Sequence, residues 1–138
     1  MANTIKFINL DEELALLSKN IKKDKDIFFG LILPKKIKSN EKILVIKNSD
    51  NNIMSWLWFG IYENDQLGKI IHTNCSYTFS QYRSNGLNKI LRIQLEKFAI
   101  DNYIYKLTSN PLDGSFSKKI LLDLGYNDNK EYFIKLLN

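Results

Sequence analysis

The chain is poor in the residues that build metal sites and covalent frameworks, with one cysteine, Cys75, and one histidine, His72, among 138 residues. A lone cysteine excludes an internal disulfide framework, and Cys75 with His72 cannot form an all-Cys/His structural zinc site, so no metal is expected and any cofactor should be organic. Long apolar runs are missing too. The richest, "IFFGLIL" and "IMSWLWFGIY", fall far short of the roughly 20 residues needed to cross a bilayer, and no membrane partner is expected. The opening "MANTIKFINLDEEL" lacks a basic segment followed by an apolar one, so it does not read as a targeting peptide and a cytoplasmic location is expected.

Arginine is scarce as well: Arg83 and Arg92 are the only two, and lysine carries the rest of a net charge of +5. Arginine is the usual reader of base edges and phosphate forks. The lysine clusters "KNIKKDKD" and "PKKIKSNEK" are broken by acids and read as solvated faces rather than a nucleic-acid footprint, although they favour anionic ligands at long range. The wealth of Lys, Asn and Ile resembles the codon bias of an A/T-rich genome.

What is present is ordinary globular composition, 44% hydrophobic and 25% charged. There are no repeats and no Pro/Gly-rich seam, so residues 1–138 are expected to form one domain, burying about two-thirds of the unfolded surface. "TIKFINL" reads as a first strand. "DEELALLSKNIKKDKDIF" reads as a helix, with acids at its start, lysines toward its end and Leu14, Leu17 and Ile21 at helical spacing. "LILPKKIKSN" reads as a loop or a short helix. Three strands with polar turns at "NSDNN" and "ENDQLG" make an antiparallel meander. In the middle one both alternating sets, Ile53/Leu57/Phe59/Ile61 and Met54/Trp56/Trp58/Tyr62, are apolar, which predicts a central strand covered on both sides. Cys75 and the two tryptophans are expected in the core or a pocket wall.

"QYRSNGLNKILRIQLEKF" then turns from a strand into a helix carrying Leu87, Ile90, Leu91, Leu95, Phe98 and Ala99 on its apolar face. "NYIYKLTSN", with Tyr103 and Tyr105 packing on alternate positions, reads as the strand completing a parallel crossover. A last helix, "SFSKKILLDLGY", closes at Gly125, and "KEYFIKLL" is a last strand. The expected class is α/β: a mixed, mostly antiparallel central sheet with helices on both faces. At the strand-to-helix junction Gly86 permits a left-handed turn, backbone N–H groups point one way with the helix dipole behind them, and Arg83 and Lys89 flank them. On this motif alone a tight turn and an anion cradle stay equally open.

Strand, "QYRSNGLNKIL", long helix, strand, "SFSKKILLDLGY", strand is similar to the core of the GCN5-related N-acetyltransferases. Arg83, Gly86 and Asn88 fall on that family's [Q/R]-x-x-G-x-[G/A] signature, and Gly125-Tyr126 on its later Gly-Phe/Tyr marker. The resemblance implies acetyl-CoA as acyl donor and a primary amine of a small molecule or protein as acceptor. It implies that Arg83, Ser84, Asn85, Gly86, Leu87, Asn88 and Lys89 hold the coenzyme A pyrophosphate. The pantetheine arm would lie near Tyr77, Thr78 and Phe79, where the strand splays from its parallel neighbour, with Asn110 and Ser117 completing the implied cofactor contacts.

Two departures bear on catalysis. Asn88 stands where the family has a small residue, so its side chain is expected to crowd the phosphate. Leu121 occupies the place of the tyrosine that protonates the leaving thiolate, for which Tyr126, Tyr77 and Ser117 are the substitutes offered. The strand "KIIHTNCSYTFS" carries no glutamate, which leaves His72 as the candidate base. A lysine-like amine is only about one part in two thousand neutral at pH 7, a deficit of about 4.6 kcal/mol that a base or a desolvating pocket can reduce. Two other classes stay open on the sequence: a degenerate relative that binds coenzyme A or a protein without turnover, and a basic nucleic-acid-binding domain. The oligomeric state is open, a homodimer included.

Overall fold

The strand apolar on both faces is β3 (Ile53–Asn64), and it lies inside a seven-stranded sheet of order β1-β2-β3-β4-β5-β7-β6. The computed structural model describes residues 3–9, 11–24, 33–110 and 115–137, the side chains of 115–117 excepted. β1 (Thr4–Phe7), β2 (Glu41–Lys47), β3 and β4 (Gly68–Thr78) pair antiparallel in succession. β5 (Lys106–Ser109) then joins β4 in parallel, and β7 (Phe133–Leu136) and the two-residue β6 (Asn127–Asp128) complete the sheet antiparallel.

Two apolar clusters cover the sheet. On one side α2 (Leu87–Asp101) sets Leu87, Leu91, Leu95 and Ala99, each four residues apart, against Leu44, Leu57, Phe59, Ile71 and Leu107, and Leu121 of α3 (Ser115–Asp123) joins them. Against the other side α1 (Asp11–Lys23) packs Leu14, Leu17 and Ile21 over Ile43, Val45, Trp56 and Tyr77. The α1 turns run from Asp11, Glu12 and Glu13 to Lys22 and Lys23, charges that complement its dipole. No described helix is long and apolar enough to cross a membrane.

The structure departs from the sequence reading in five places. The alternation along β3 breaks: Met54 packs on the α2 side and Ile53 on the other. A register shift is the cause, since Ser55 faces Ile46 and Ile53 faces Lys47, leaving Met54 as an extra residue. Ile90 is 39% exposed rather than in the core, because the buried stripe of α2 is narrower than the run of apolar residues. Tyr103 and Tyr105 precede the strand expected to carry them. α2 stops where Asn102 caps the Phe98 carbonyl through its side chain at 2.8 Å, Tyr103 takes φ 60 and is 80% exposed, and β5 starts only at Lys106. β6 is too short to leave a periodic signal. The first helix ends at Lys23, and the remainder of its expected span after Asp24 lies outside the described residues, as does most of the loop before α3. Residues 33–40 form no helix, which leaves the loop alternative for that stretch.

Candidate functional site

The parallel ladder between β4 and β5 is short. It holds Ile71 to Leu107, His72 to Thr108 and Thr73 to Ser109, and there β5 ends while β4 continues to Thr78 beside β3 alone. From Asn74 to Thr78 the β5-facing edge of β4 therefore has no strand partner among the described residues. The strands fork. Just past the last shared pair, Cys75 faces Trp58 but Thr73 faces Phe59, so Asn74 is a bulged residue, and bulges re-aim backbone groups beside sites.

Beyond the fork, Phe79 leads through a 3-10 turn (Ser80–Tyr82) to the helix. Gly86 is the N-cap of α2 with φ 71 and ψ 17, in the left-handed region, and a Cβ added there would meet nothing within 4 Å. Ser84 is left-handed as well, φ 69. Gly86 brings no side-chain cap, and no described acceptor meets the amides of Leu87, Asn88 and Lys89. An open, glycine-lined helix start with free amides has the chemistry of an anion cradle and fits a pyrophosphate.

Three buttresses fix this turn. Arg83 donates from Nε to the Thr78 carbonyl at 3.0 Å and lies 5.3 Å over the Tyr77 ring. Asn85 donates to the Tyr82 carbonyl at 3.1 Å. The third is Asp24, just past α1, which accepts bonds from the Tyr77 hydroxyl, from Ser80 N at 3.1 Å and from Ser80 Oγ at 2.6 Å. Burial alone would raise the Asp24 pKa, but the Ser80 and Tyr77 bonds and the Arg83 charge outweigh it and hold the carboxyl below its ordinary value. A carboxyl depressed on folding adds stability above its unfolded pKa and loses it as pH falls through the folded one. Asp24→Asn should thus be less stable than wild type at neutral pH, with the gap closing below about pH 4; urea melts at pH 7 and pH 3 check this, and a gap independent of pH would contradict it.

Asn88 does not crowd the phosphate side. Its side chain turns inward, donating to Ser76 Oγ on β4 at 3.0 Å and accepting from Arg92 Nε at 3.0 Å, because two polar partners lie under it. Lys89 reaches Asp123 of α3 at 3.5 Å, so its ammonium is shared with that carboxylate. Leu87 is a core side chain. Tyr77 and Phe79 are buried in an edge-on ring contact, while Thr78 meets Ser55 Oγ at 2.8 Å. Asn110 is exposed at the end of β5, and the side chain of Ser117 lies outside the described residues.

His72 sits at the closed end of the fork, half-buried, with Nδ1 2.7 Å from Thr108 Oγ1; burial lowers its pKa. Tyr126 is 3% exposed, and its hydroxyl lies beside the Arg92 guanidinium without reaching hydrogen-bond geometry. Leu121 is likewise in the core. Cys75 is a buried thiol whose pKa burial pushes up to about 12, as a small hydrophobe rather than a nucleophile requires. Sequence reasoning missed Asn74, Ser76, Asp24 and Arg92. For Arg92 a signal existed, since it follows Asn88 by four residues on the inner face of the helix.

No protein-family model and no curated protein sequence matches the chain. Solved structures do. The ribosomal-protein-S18-alanine N-acetyltransferase of Escherichia coli is similar with a TM-score of 0.73 at 10% identity, over 96% of this chain and 91% of that one. A predicted acetyltransferase of Clostridium acetobutylicum, solved with acetyl-CoA, gives 0.72 at 14% over 94% and 93%. An aminoglycoside 6'-N-acetyltransferase of Acinetobacter baumannii gives 0.72 at 15% over 94% and 93%. The fold is that of the GCN5-related N-acetyltransferases.

Proposed function

We propose that the chain is an acetyl-CoA-dependent N-acetyltransferase acting on a primary amine of a small molecule or a protein. The observation that carries this reading is the conjunction of a left-handed, uncapped glycine at the start of α2 with a β4 edge released from β5 immediately upstream. When bound, acetyl-CoA supplies the activated acyl group. The amides of Leu87 to Lys89 would hold its pyrophosphate, and the part of β4 beyond its last pair with β5, from Asn74 to Thr78, would hold its pantetheine arm. A backbone N–H at the Asn74 bulge would polarise a carbonyl lying in the fork. The amine-directed activities named for the structural neighbours, on a ribosomal-protein alanine and on an aminoglycoside, support an amine acceptor here.

His72 would take the amine's proton, directly or through a water. The tautomer that donates Nδ1–H to Thr108 Oγ1 would leave Nε2 its lone pair, and burial favours the neutral ring. His72→Ala should lower kcat at pH 7 by about 10²-fold and remove the acidic limb of the pH–rate profile. Unchanged turnover from pH 6 to 9 would remove His72 from the mechanism.

A second reading has an observation of its own. Leu121 and Tyr126 are both enclosed in the core, so neither supplies an acid at the fork, as a fold that binds coenzyme A without turnover would have it. Calorimetric titration with acetyl-CoA followed by a free-thiol assay over a panel of amines decides. Binding with thiol release supports the transferase, and binding without release for every amine supports the second reading. No binding overturns both.

A further inference from the structure

We infer that Arg92 is a positioning residue for the anionic part of the cofactor, a core-enclosed cation behind the first turn of α2 whose counter-charge is the bound pyrophosphate rather than any carboxylate among the described residues. The inference rests on the cofactor reading above. Arg92 is 5% exposed, yet no described carboxylate is within ion-pair reach of it. The nearest acid along the helix, Glu96, is one turn further on and is held by Lys135 at 3.0 and 3.1 Å. The bonds of Arg92 go to neutral oxygens: Nε to Asn88 Oδ1 at 3.0 Å and Nη2 to Ser76 Oγ at 3.4 Å, while Nη1 has no acceptor among the described residues.

Buried charges are ordinarily paired, and an apolar side chain of similar volume avoids the desolvation cost altogether. A cation kept in this position has an electrostatic consequence. Long helical side chains lean toward the N-terminus, and the bond to Asn88 fixes the guanidinium under the first turn, within on the order of 10 Å of an anion at the α2 amides. Enclosed in the core, it is screened little by salt and attracts each negative charge placed there. It also holds the Asn88 amide through Nε, and the other contact of that amide is Ser76 Oγ on β4.

The test compares coenzyme A with S-acetylpantetheine, which lacks the phosphates. Calorimetry on the full chain should show Arg92→Met binding coenzyme A about tenfold more weakly than wild type. Affinity for S-acetylpantetheine, read from amide NMR shifts, should be unchanged. Arg92→Lys, which keeps the charge and loses the forked bonds, should stay within about threefold of wild type for coenzyme A. If Arg92→Met does not fold, Arg92→Gln replaces it against Arg92→Lys. Equal binding by the neutral variant overturns the inference, as does an equal loss for both probes or a lysine variant as weak as the neutral one. Absence of coenzyme A binding in the wild type overturns the cofactor reading and this inference with it.

Discussion

Gly86→Glu is expected to weaken acetyl-CoA binding more than about 100-fold while leaving the chain folded. The two halves of that expectation have separate causes. At φ 71 any side chain is strained, at a cost of about 1 kcal/mol. The added Cβ meets open space, however, so nothing in the core is displaced. The carboxylate would project into the region faced by the α2 amides, where it competes for their N–H groups. At about 5 Å and an effective dielectric of about 20, it repels each unit charge of a pyrophosphate by about 3 kcal/mol. Gly86→Ala carries the same backbone strain without the charge and should lose much less affinity than stability. Calorimetry and thermal melting of both variants check the pair. Equal binding losses for alanine and glutamate would assign the effect to backbone shape, and intact binding by the glutamate variant would remove the cradle.

Leu91→Ala should destabilise the fold by about 3 kcal/mol, while Ile90→Ala, one residue earlier, should cost less than about 1 kcal/mol. Leu91 is fully buried between α2 and the sheet, whereas Ile90 is 39% exposed on the outer side of the helix. The deletion at Leu91 leaves a cavity that rigid neighbours, Leu57 and Phe59 among them, fill only in part. At Ile90 water replaces the lost methyl groups. Urea melts give both numbers, and similar values for the two variants would mean that the helix packs in another rotation.

Much of the architecture was legible because it is written in period. Helical spacing at Leu14, Leu17 and Ile21 and at Leu87, Leu91 and Leu95, the apolar character of both faces of β3, and Gly125 with φ 91 after the last helix are local signals that agree with the tertiary structure. The reading failed where a single residue changes register. Met54 is an inserted residue, and no local pattern marks which residue of a strand will be left out of the ladder. Tyr103 and Tyr105 look like strand residues, yet the Asn102 cap and a left-handed Tyr103 take the chain over first.

The site divides the same way. Gly86 and its turn could be located from the sequence, since glycine at a strand-to-helix junction has a specific backbone use. Ser76 could not be joined to Asn88 and Arg92, because its contacts with them run from a helix across to a strand. Asp24 reaches the same loop from 56 residues earlier in the chain. Asn88, expected to point at the phosphate, points inward for the reason that Arg92 is there. These polar partners are set by packing between elements, about which periodicity carries no information.

One ligand is expected to span the start of α2 and the end of β4. Backbone amide NMR of the ¹⁵N-labelled protein during titration with acetyl-CoA tests it directly. The expected result is a set of shifts at Leu87, Asn88 and Lys89 and along Asn74 to Thr78 that saturate together with one Kd. Shifts confined to one of the two groups, or none in either at millimolar ligand, would contradict it.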